Sequence, residues 1–285
     1  MTIAVFGATG ALGNLTVDAL LKRGVAAGDI RALGRSPERL AALADKGVAT
    51  FAIDLNDPST PAEPLRGADE VLLISGSEVG RRLPQHKAAI DAAVAAGVRR
   101  VTYTSAPQAD TSTLILAPEH KATEEYLAAA PITATILRNG WYTENFQSEF
   151  GAAQATGVIA NSVGETARIA SAPRADLAEA AAIVLTTDGH DGKVYELTGD
   201  TAWTFPEFAE ALSRVLDKPV EYRTITADEE RAGLAAAGLP AEVVDLVVSL
   251  NQSTREGQLS VVTDDLSRIL GRPTTPIAET LRTWK

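Results

Sequence analysis

The strongest constraint on the fold is a run of three evenly spaced glycines near the start of the chain, in "GATGALG". Gly7, Gly10 and Gly13 follow an apolar run at 2–7 and precede a stretch with helical periodicity at 11–23. Glycine permits a sharp turn after a strand, close approach of the backbone to a ligand, and close packing of the next helix on the sheet. The free amides where that helix begins favour an anion, so the pattern predicts a diphosphate-binding turn. A plain flexible bend is the alternative, and the position between a strand and a helix favours the binding turn.

Apolar runs and helical stretches alternate through the first half of the chain. Ser36 and Pro37 have the residue types expected at the N-cap and first position of a helix, and Thr204 with Glu207 fits a capping box. The apolar runs show no polar alternation, which is typical of parallel strands covered on both faces. The pattern predicts strands at 2–7, 30–34, 48–54, 70–75, 99–105, 133–138 and 193–199, and helices at 11–23, 37–46, 84–96, 119–129 and 174–187.

This alternation predicts an α/β fold, a Rossmann-type doubly wound parallel sheet with a smaller, mostly helical C-terminal lobe. The predicted nucleotide-binding domain covers 1–140 and is completed by roughly 174–200. The predicted substrate-binding lobe consists of 141–173 and 201–285. Within it, 141–170 is rich in Gly, Asn, Thr and Ser, and it is expected to form a loop with a short hairpin.

Composition excludes several classes of protein. The net charge of −11 argues against nucleic acid or an anionic membrane surface as the main partner. No apolar run reaches the roughly 20 residues of a membrane-spanning helix, and the N-terminus leaves no room for a signal peptide. Because the chain has no cysteine, thiol catalysis and disulfides are excluded, and a cytoplasmic location is expected. A homo-oligomer is compatible with the sequence.

The end of the second predicted strand indicates which dinucleotide is bound. An acidic residue there selects the ribose 2′-hydroxyl of NAD, whereas this chain has Gly34 followed by Arg35. Arg35 can bind a 2′-phosphate through a charge-assisted contact, which is worth roughly 1.5–3 kcal/mol, so NADP(H) is the predicted cofactor. A solvated surface arginine is the alternative. Asp54 closes the third predicted strand, and Ser75 and Gly76 close the fourth. They are predicted to contact the adenosine and the pyrophosphate, with a purely loop-forming role as the alternative.

The residues that usually protonate the product of a short-chain dehydrogenase are missing. None of the five tyrosines has a lysine four positions later. Hydride addition to a ketone gives an alkoxide, a strong base whose conjugate acid is about as weak an acid as water, so this reaction needs a positioned acid. Hydride addition to a quinone gives a phenolate, closer to tyrosine with a pKa of about 10. The sequence therefore favours a quinone-like or dye-like acceptor.

The histidines do not indicate a metal site. His120 and Glu124 are spaced to share one helix face, but two ligands make a poor site and a surface pair is expected instead, so no metal is predicted.

These residues resemble the NmrA-like branch of the atypical short-chain dehydrogenases, and within it the type 2 NADPH:quinone oxidoreductases. Triphenylmethane dye reductases share much of the pattern. Pro107 and the apolar run after it depart from the expected acceptor-shaping loops, so the acceptor preference does not carry over. The matching stretches are "GATGALG", "LLISGSEVGRRLPQHKAAIDAA", "YTSAPQADTS", "LAPEHKATE", "ILRNGWYTENF", "IASAPRADLAEAAA" and "GKVYELTGDTAWT".

The resemblance implies an NADPH-binding domain, a small lobe and a cleft between them. It implies that Asn139 binds the nicotinamide carboxamide or polarises a quinone oxygen, and that Trp141 or Tyr142 packs on the ring. Interlobe packing is the alternative for both aromatics. Asn139 and Tyr142 are the predicted catalytic residues. The predicted acceptor contacts are Trp141, Tyr142 and His86, although a core or capped histidine is the alternative for His86. The predicted cofactor contacts are Gly7, Thr9, Gly10, Ala11, Leu12, Arg35, Asp54, Ser75, Gly76, Asn139, Gly140 and Arg174.

Two functions remain open at the level of sequence. The first is an enzyme that passes hydride from NADPH to a quinone or a related dye or enone. The second is an NADP(H)-binding redox sensor without useful turnover, since one fold can serve both roles. The stretch "RNGWYTEN" favours the enzyme.

Overall fold

Seven parallel strands form the central sheet of the computed structural model, which describes residues 1–78 and 80–285. Their order across the sheet is β3-β2-β1-β4-β5-β6-β8. Strands β1 and β4 are short apolar runs that are buried on both faces, as expected for the centre of a parallel sheet. The strands are β1 (Ile3–Phe6), β2 (Ile30–Gly34), β3 (Ala49–Ala52), β4 (Glu70–Ile74), β5 (Arg100–Ser105), β6 (Thr133–Asn139), β7 (Val158–Asn161), β8 (Val194–Leu197) and β9 (Glu221–Thr224).

Helices cover both faces of this sheet and build the second lobe. They are α1 (Ala11–Lys22), α2 (Pro37–Ala44), α3 (Ala62–Leu65), α4 (Arg82–Ala95), α5 (Ala117–Ala129), α6 (Gln147–Thr156), α7 (Arg174–Thr186), α8 (Phe205–Leu216), α9 (Ala227–Ala236), α10 (Ala241–Arg255), α11 (Asp265–Leu270) and α12 (Ile277–Arg282). The predicted N-cap at Ser36 and the capping box of Thr204 and Glu207 are confirmed. The predicted α/β class is therefore confirmed. None of the described helices is both long and apolar enough to cross a bilayer.

Three hydrophobic clusters correspond to the two faces of the sheet and to the second lobe. On one face, α1 and α7 pack closely because alanines such as Ala180 and Ala181 leave room for the neighbouring backbone. On the other face, α4 and α5 cover β4 and β5. The second lobe has an aromatic core that includes Phe146, Trp203 and Phe208. Leu266 of α11 packs in the first cluster, so part of the 201–285 stretch contacts the main sheet.

The hairpin predicted within 141–170 is wrong. A 3-10 turn at Thr143–Phe146 leads instead into α6 and β7, and β7 pairs in parallel with β9, about sixty residues later in the chain. Helix α6 forms because Phe146, Phe150 and Ala153 have helical spacing and bury one face in the aromatic core. Gly157 ends the helix in the left-handed conformation and does not form a hairpin turn.

Candidate functional site

The turn between β1 and α1 has the geometry of an anion-binding helix start. Gly7 has a φ of +75°, and the Gly10 amide donates to the Gly7 carbonyl over 2.9 Å. A Cβ on Gly13 would lie 2.2 Å from the Gly7 carbonyl oxygen, so only glycine fits there. The Asn14 amide donates to the Gly10 carbonyl over 2.9 Å. The amides of the preceding residues, Ala11 and Leu12, are the ones a helix start leaves without intrahelical partners.

A cavity of about 300 Å³ opens beside this turn. It lies where the strand order reverses between β1 and β4, which is the usual ligand position in open parallel sheets. Seven of the predicted cofactor residues are brought together in its wall. These are Gly7, Thr9, Gly10, Arg35, Asp54, Ser75 and Gly76.

Two arginines add positive charge at the outer end of the cavity. Arg35 directly follows β2, and its side chain is 63 % exposed. Arg39 lies on α2, and its guanidinium is 3.5 Å from the Thr9 carbonyl oxygen. The Arg35 guanidinium forms an ion pair with Glu78, an interaction that the sequence did not reveal because the two residues are 43 positions apart. This ion pair holds the pKa of the Glu78 carboxyl below its usual range.

Asp54 lines the same cavity. Its Oδ1 accepts hydrogen bonds from the Asn56 amide and from Asn56 Nδ2, at 2.9 and 2.8 Å. These bonds lower the pKa of Asp54, so it is a carboxylate at neutral pH. An ionised acceptor at this position suits the amino and hydroxyl donors of a nucleoside.

The carboxyl end of β6 presents a second group of predicted residues at the same edge of the sheet. Asn139 is 5 % exposed, and its Oδ1 has no hydrogen-bond partner among the described residues. Its Nδ2 lies 3.4 Å from the Tyr142 hydroxyl. Burial raises the pKa of Tyr142, which therefore remains a neutral phenol. An orphaned buried acceptor has a cost in stability, and a bound donor would remove that cost.

Arg174 begins α7 and lies against this group. Its guanidinium stacks over the Tyr142 ring at 4.4 Å from the centroid and pairs with Glu144 at 3.5 Å. Its Nη2 also donates to Asn145 Oδ1 over 2.9 Å. The structure therefore places Arg174 beside Tyr142 rather than in the wall of the first cavity.

His86 lies in the core, which agrees with the core-histidine alternative, and in this structure it has almost no exposed surface for an acceptor contact. The side chain is 1 % exposed, and Nε2 accepts from the Gly76 amide over 3.1 Å. Nδ1 lies 2.9 Å from Thr123 Oγ1, and burial lowers the pKa of His86 to about 4. His86 is a neutral core histidine that supports the loop after β4.

The expected surface pair of His120 and Glu124 is wrong, because both side chains are largely buried. His120 Nδ1 lies 2.8 Å from the Tyr103 hydroxyl, and burial lowers the pKa of His120 to about 3. Glu124 accepts from Ser105 Oγ over 2.5 Å and pairs with Arg138 at 2.7 Å. These buried contacts join α5 to the carboxyl ends of β5 and β6.

A second, larger cavity of about 470 Å³ lies within the smaller lobe, between α6, β7, α9 and α10. Trp141 and Asn145 line it, so it adjoins the stretch that follows β6. No pattern in the sequence indicated this cavity, because its walls come from four elements that are distant in the chain.

Comparisons with known proteins agree with this arrangement. Residues 1–260 match the NmrA-like family. Quinone oxidoreductase 2 of Escherichia coli is 43 % identical over 98 % of this chain and 97 % of its own length. The crystal structure of that NADPH-dependent quinone oxidoreductase with NADPH superposes with a TM-score of 0.94, at 42 % identity, covering 99 % of both chains. Triphenylmethane reductase from Citrobacter sp., complexed with NADP(H), superposes with a TM-score of 0.95, at 36 % identity, covering all of both chains. The chain belongs to the NmrA-like family.

Proposed function

We propose that the protein is an NADPH-dependent oxidoreductase that reduces a quinone or a similar conjugated acceptor. The proposal depends on the positions of two groups of residues. One group is the glycine turn with Arg35, and the other is Asn139 with Tyr142. Both groups lie at the carboxyl edge of one parallel sheet. The similarity to the quinone oxidoreductase of Escherichia coli over nearly the full length supports the same activity.

NADPH is the proposed cofactor because of the charges at the outer end of the first cavity. The Ala11 and Leu12 amides would bind the pyrophosphate, and Arg35 with Arg39 would bind the 2′-phosphate. Asp54, Ser75 and Gly76 would contact the adenosine and adjoining phosphate. Asn139 Oδ1, which is buried without a partner, is suited to accept from the amide of the nicotinamide. When bound, NADPH supplies the hydride.

The residues around Asn139 suit an acceptor whose reduced form can be protonated without a strong acid in the site. The Tyr142 phenol can donate a hydrogen bond to a quinone oxygen, but its raised pKa makes it a weak acid. A reduced quinone is a phenolate of low basicity, so water can protonate it. Trp141 and Gly140 would then shape the ring site, and positioning would supply most of the rate.

A conjugated dye is the second candidate acceptor. It is favoured by the match to the Citrobacter triphenylmethane reductase at 36 % identity over the whole chain. Hydride addition to a carbocationic dye neutralises it and needs no proton, which also fits a site without a strong acid.

Stopped-flow absorbance of bound NADPH after mixing with a simple benzoquinone tests the proposal. We expect oxidation well above the uncatalysed rate. An Asn139→Ala variant should bind NADPH more weakly and oxidise it more slowly. Tight NADPH binding without oxidation by quinone or dye would instead identify a redox sensor.

A further inference from the structure

The loop that follows β4, which we call the β4 loop, consists of residues 75–78, and all four residues line the first cavity. A loop lacks the regular backbone hydrogen bonds of a strand or helix, so other groups must fix its shape. Helix α4 presents three polar residues, Arg82, Gln85 and His86, on one face of its first two turns. All three are buried. Burial of polar side chains is costly without partners, so their partners indicate what this face does.

Both backbone polar groups of Gly76 are bonded to this face of α4. The Gly76 amide donates to His86 Nε2 over 3.1 Å, and the Gly76 carbonyl accepts from Arg82 Nε over 2.5 Å. The Ser75 amide donates to Thr104 Oγ1 over 2.9 Å. Because these two amides are already satisfied, the β4 loop contributes its position and shape to the cavity rather than free donors for a phosphate.

The orientation of the His86 ring is fixed by α5. Because Nε2 accepts from Gly76, the proton of the neutral imidazole lies on Nδ1, which donates to Thr123 Oγ1 over 2.9 Å. Thr123 Oγ1 donates in turn to the Glu119 carbonyl over 2.9 Å. This series of hydrogen bonds holds Nε2 in place as an acceptor for the loop amide.

Glu119 of α5 also fixes the point at which α4 begins. The N-cap residue of α4 makes no side-chain hydrogen bond to the helix. Glu119 Oε1 accepts instead from the amides of Gly80 and Arg82, over 3.0 and 3.2 Å, and Oε2 lies 3.6 Å from Arg82 Nη1. A carboxylate at a helix N-terminus is stabilising, so α5 holds the first turn of α4 and the Arg82 side chain.

Gln85 extends the same support to the end of the β4 loop. Its Nε2 lies 3.2 Å from Glu78 Oε2 and 3.3 Å from Asn56 Oδ1, so it joins the β4 loop to the loop after β3. A Cβ on Gly76 would lie 3.1 Å from Gln85 Oε1, so the loop packs closely against this side chain.

We propose that His86 and Arg82 are positioning residues for the cofactor. By holding both polar groups of Gly76, they set the position of the β4 loop in the wall of the first cavity, and with it the affinity for the adenosine and phosphate half of NADPH. Neither side chain is among the described residues that line this cavity. The inference rests on the proposed function for the identity of the cofactor, and it adds residues that act on cofactor affinity through the loop.

Equilibrium titration of His86→Leu and His86→Gln with NADPH tests this role. Leucine removes the acceptor for the Gly76 amide, and we expect the Kd for NADPH to rise by about tenfold. Glutamine can place a carbonyl oxygen near the position of Nε2, so His86→Gln should restore most of the affinity. With a simple benzoquinone as acceptor, the KM for NADPH should follow the Kd, and kcat at saturating NADPH should stay within about twofold of wild type.

His120→Leu is the matched control. His120 is also a buried histidine, but its Nδ1 lies beside the Tyr103 hydroxyl and not beside the β4 loop. In urea unfolding both leucine variants should lose stability, whereas only His86→Leu should weaken NADPH binding. The affinity for 2′,5′-ADP, which contains the adenosine half of the cofactor without the nicotinamide, should fall in His86→Leu by the same factor as that for NADPH.

The outcomes separate this inference from the proposed function. Equal weakening of NADPH binding in the two leucine variants, or no weakening in His86→Leu, would overturn the positioning role. Should His86→Leu fail to fold, Arg82→Lys provides the comparison, because lysine keeps a charge beside Glu119 and lacks the Nε that donates to Gly76. It should show the same rise in Kd. If the wild type binds NADPH but no quinone oxidises it, the proposed function is wrong, and the Kd values still decide the role of His86.

Discussion

The guanidinium of Arg35 has two competing partners, Glu78 in the structure and a 2′-phosphate in the proposed complex. Glu78 follows β4, lines the first cavity and also accepts from Gln85 over 3.2 Å. A phosphate that approaches Arg35 therefore meets a carboxylate already bound to it. We therefore expect Glu78 to reduce the affinity for the phosphorylated cofactor.

We expect Glu78→Gln to tighten NADPH binding by about three- to fivefold, because an exposed ion pair of this kind is weak and its loss frees Arg35. NADH binding should change little, since NADH has no 2′-phosphate. Equilibrium titration of both cofactors measures the difference. Arg35→Ala is the matched control and should weaken NADPH binding alone. Equal effects on NADPH and NADH in either variant would contradict the assignment of Arg35.

At the scale of single residues, the sequence predicted the positions of residues that depend on their neighbours in the chain. The glycines of the first turn and Arg35 lie where the strand and helix pattern places them. The surface position expected for His120 was wrong because α5 is rich in alanine, and its weak periodicity does not distinguish a buried from an exposed face.

At the scale of elements, the unit of β1 and α1 depends on the distance between the helix and the strand. We expect Gly13→Ala to destabilise the protein by about 1–3 kcal/mol, because its Cβ would collide with the Gly7 carbonyl and displace α1. NADPH affinity should fall as well, since the amides at the helix start would move. Urea unfolding and cofactor titration measure the two effects.

Gly151 on α6 provides the comparison for this prediction. Nothing lies within 4 Å of a Cβ built on it, so Gly151→Ala should leave stability unchanged or raise it by up to about 1 kcal/mol. If both variants were equally stable, the close approach at Gly13 would not determine the position of α1.

The elements of the main sheet were predictable because each is specified by its own residues. The pairing of β7 with β9 was not, since β7 is only four residues long and its partner is distant. The second cavity, which lies within the smaller lobe, depends on the same long-range packing. Its polar residues, among them Asn161 and Glu230, resemble ordinary surface residues in the sequence.

At the scale of the whole molecule, the two buried histidines link stability to pH. Both pKa values in the folded protein, about 4 for His86 and about 3 for His120, lie below the unfolded value of about 6.5. The unfolded chain therefore takes up protons first, and the stability present above pH 6.5 is lost as the pH falls towards 4. The slope should reach about 2.7 kcal/mol per pH unit for two protons.

Urea unfolding at several pH values between about 6.5 and 4.5 measures this slope. A His120→Asn variant should lose about half of it, because only the His86 proton remains. An unchanged slope in that variant would show that other groups, such as carboxylates, cause the loss of stability.

The order of the strands also affects folding during synthesis and the outcome of proteolytic cleavage. Strand β8 completes the main sheet, yet it lies between β7 and β9, which pair with each other in the smaller lobe. During synthesis on a ribosome, β6 therefore has an unpaired edge until β8 emerges. Strand β7 remains unpaired until β9 emerges, which is later still. A fragment that stops after β6 would expose that edge to pairing with other chains. Nicking by a protease in the segment between the lobes should leave the two pieces bound together, rather than release either as an independent domain.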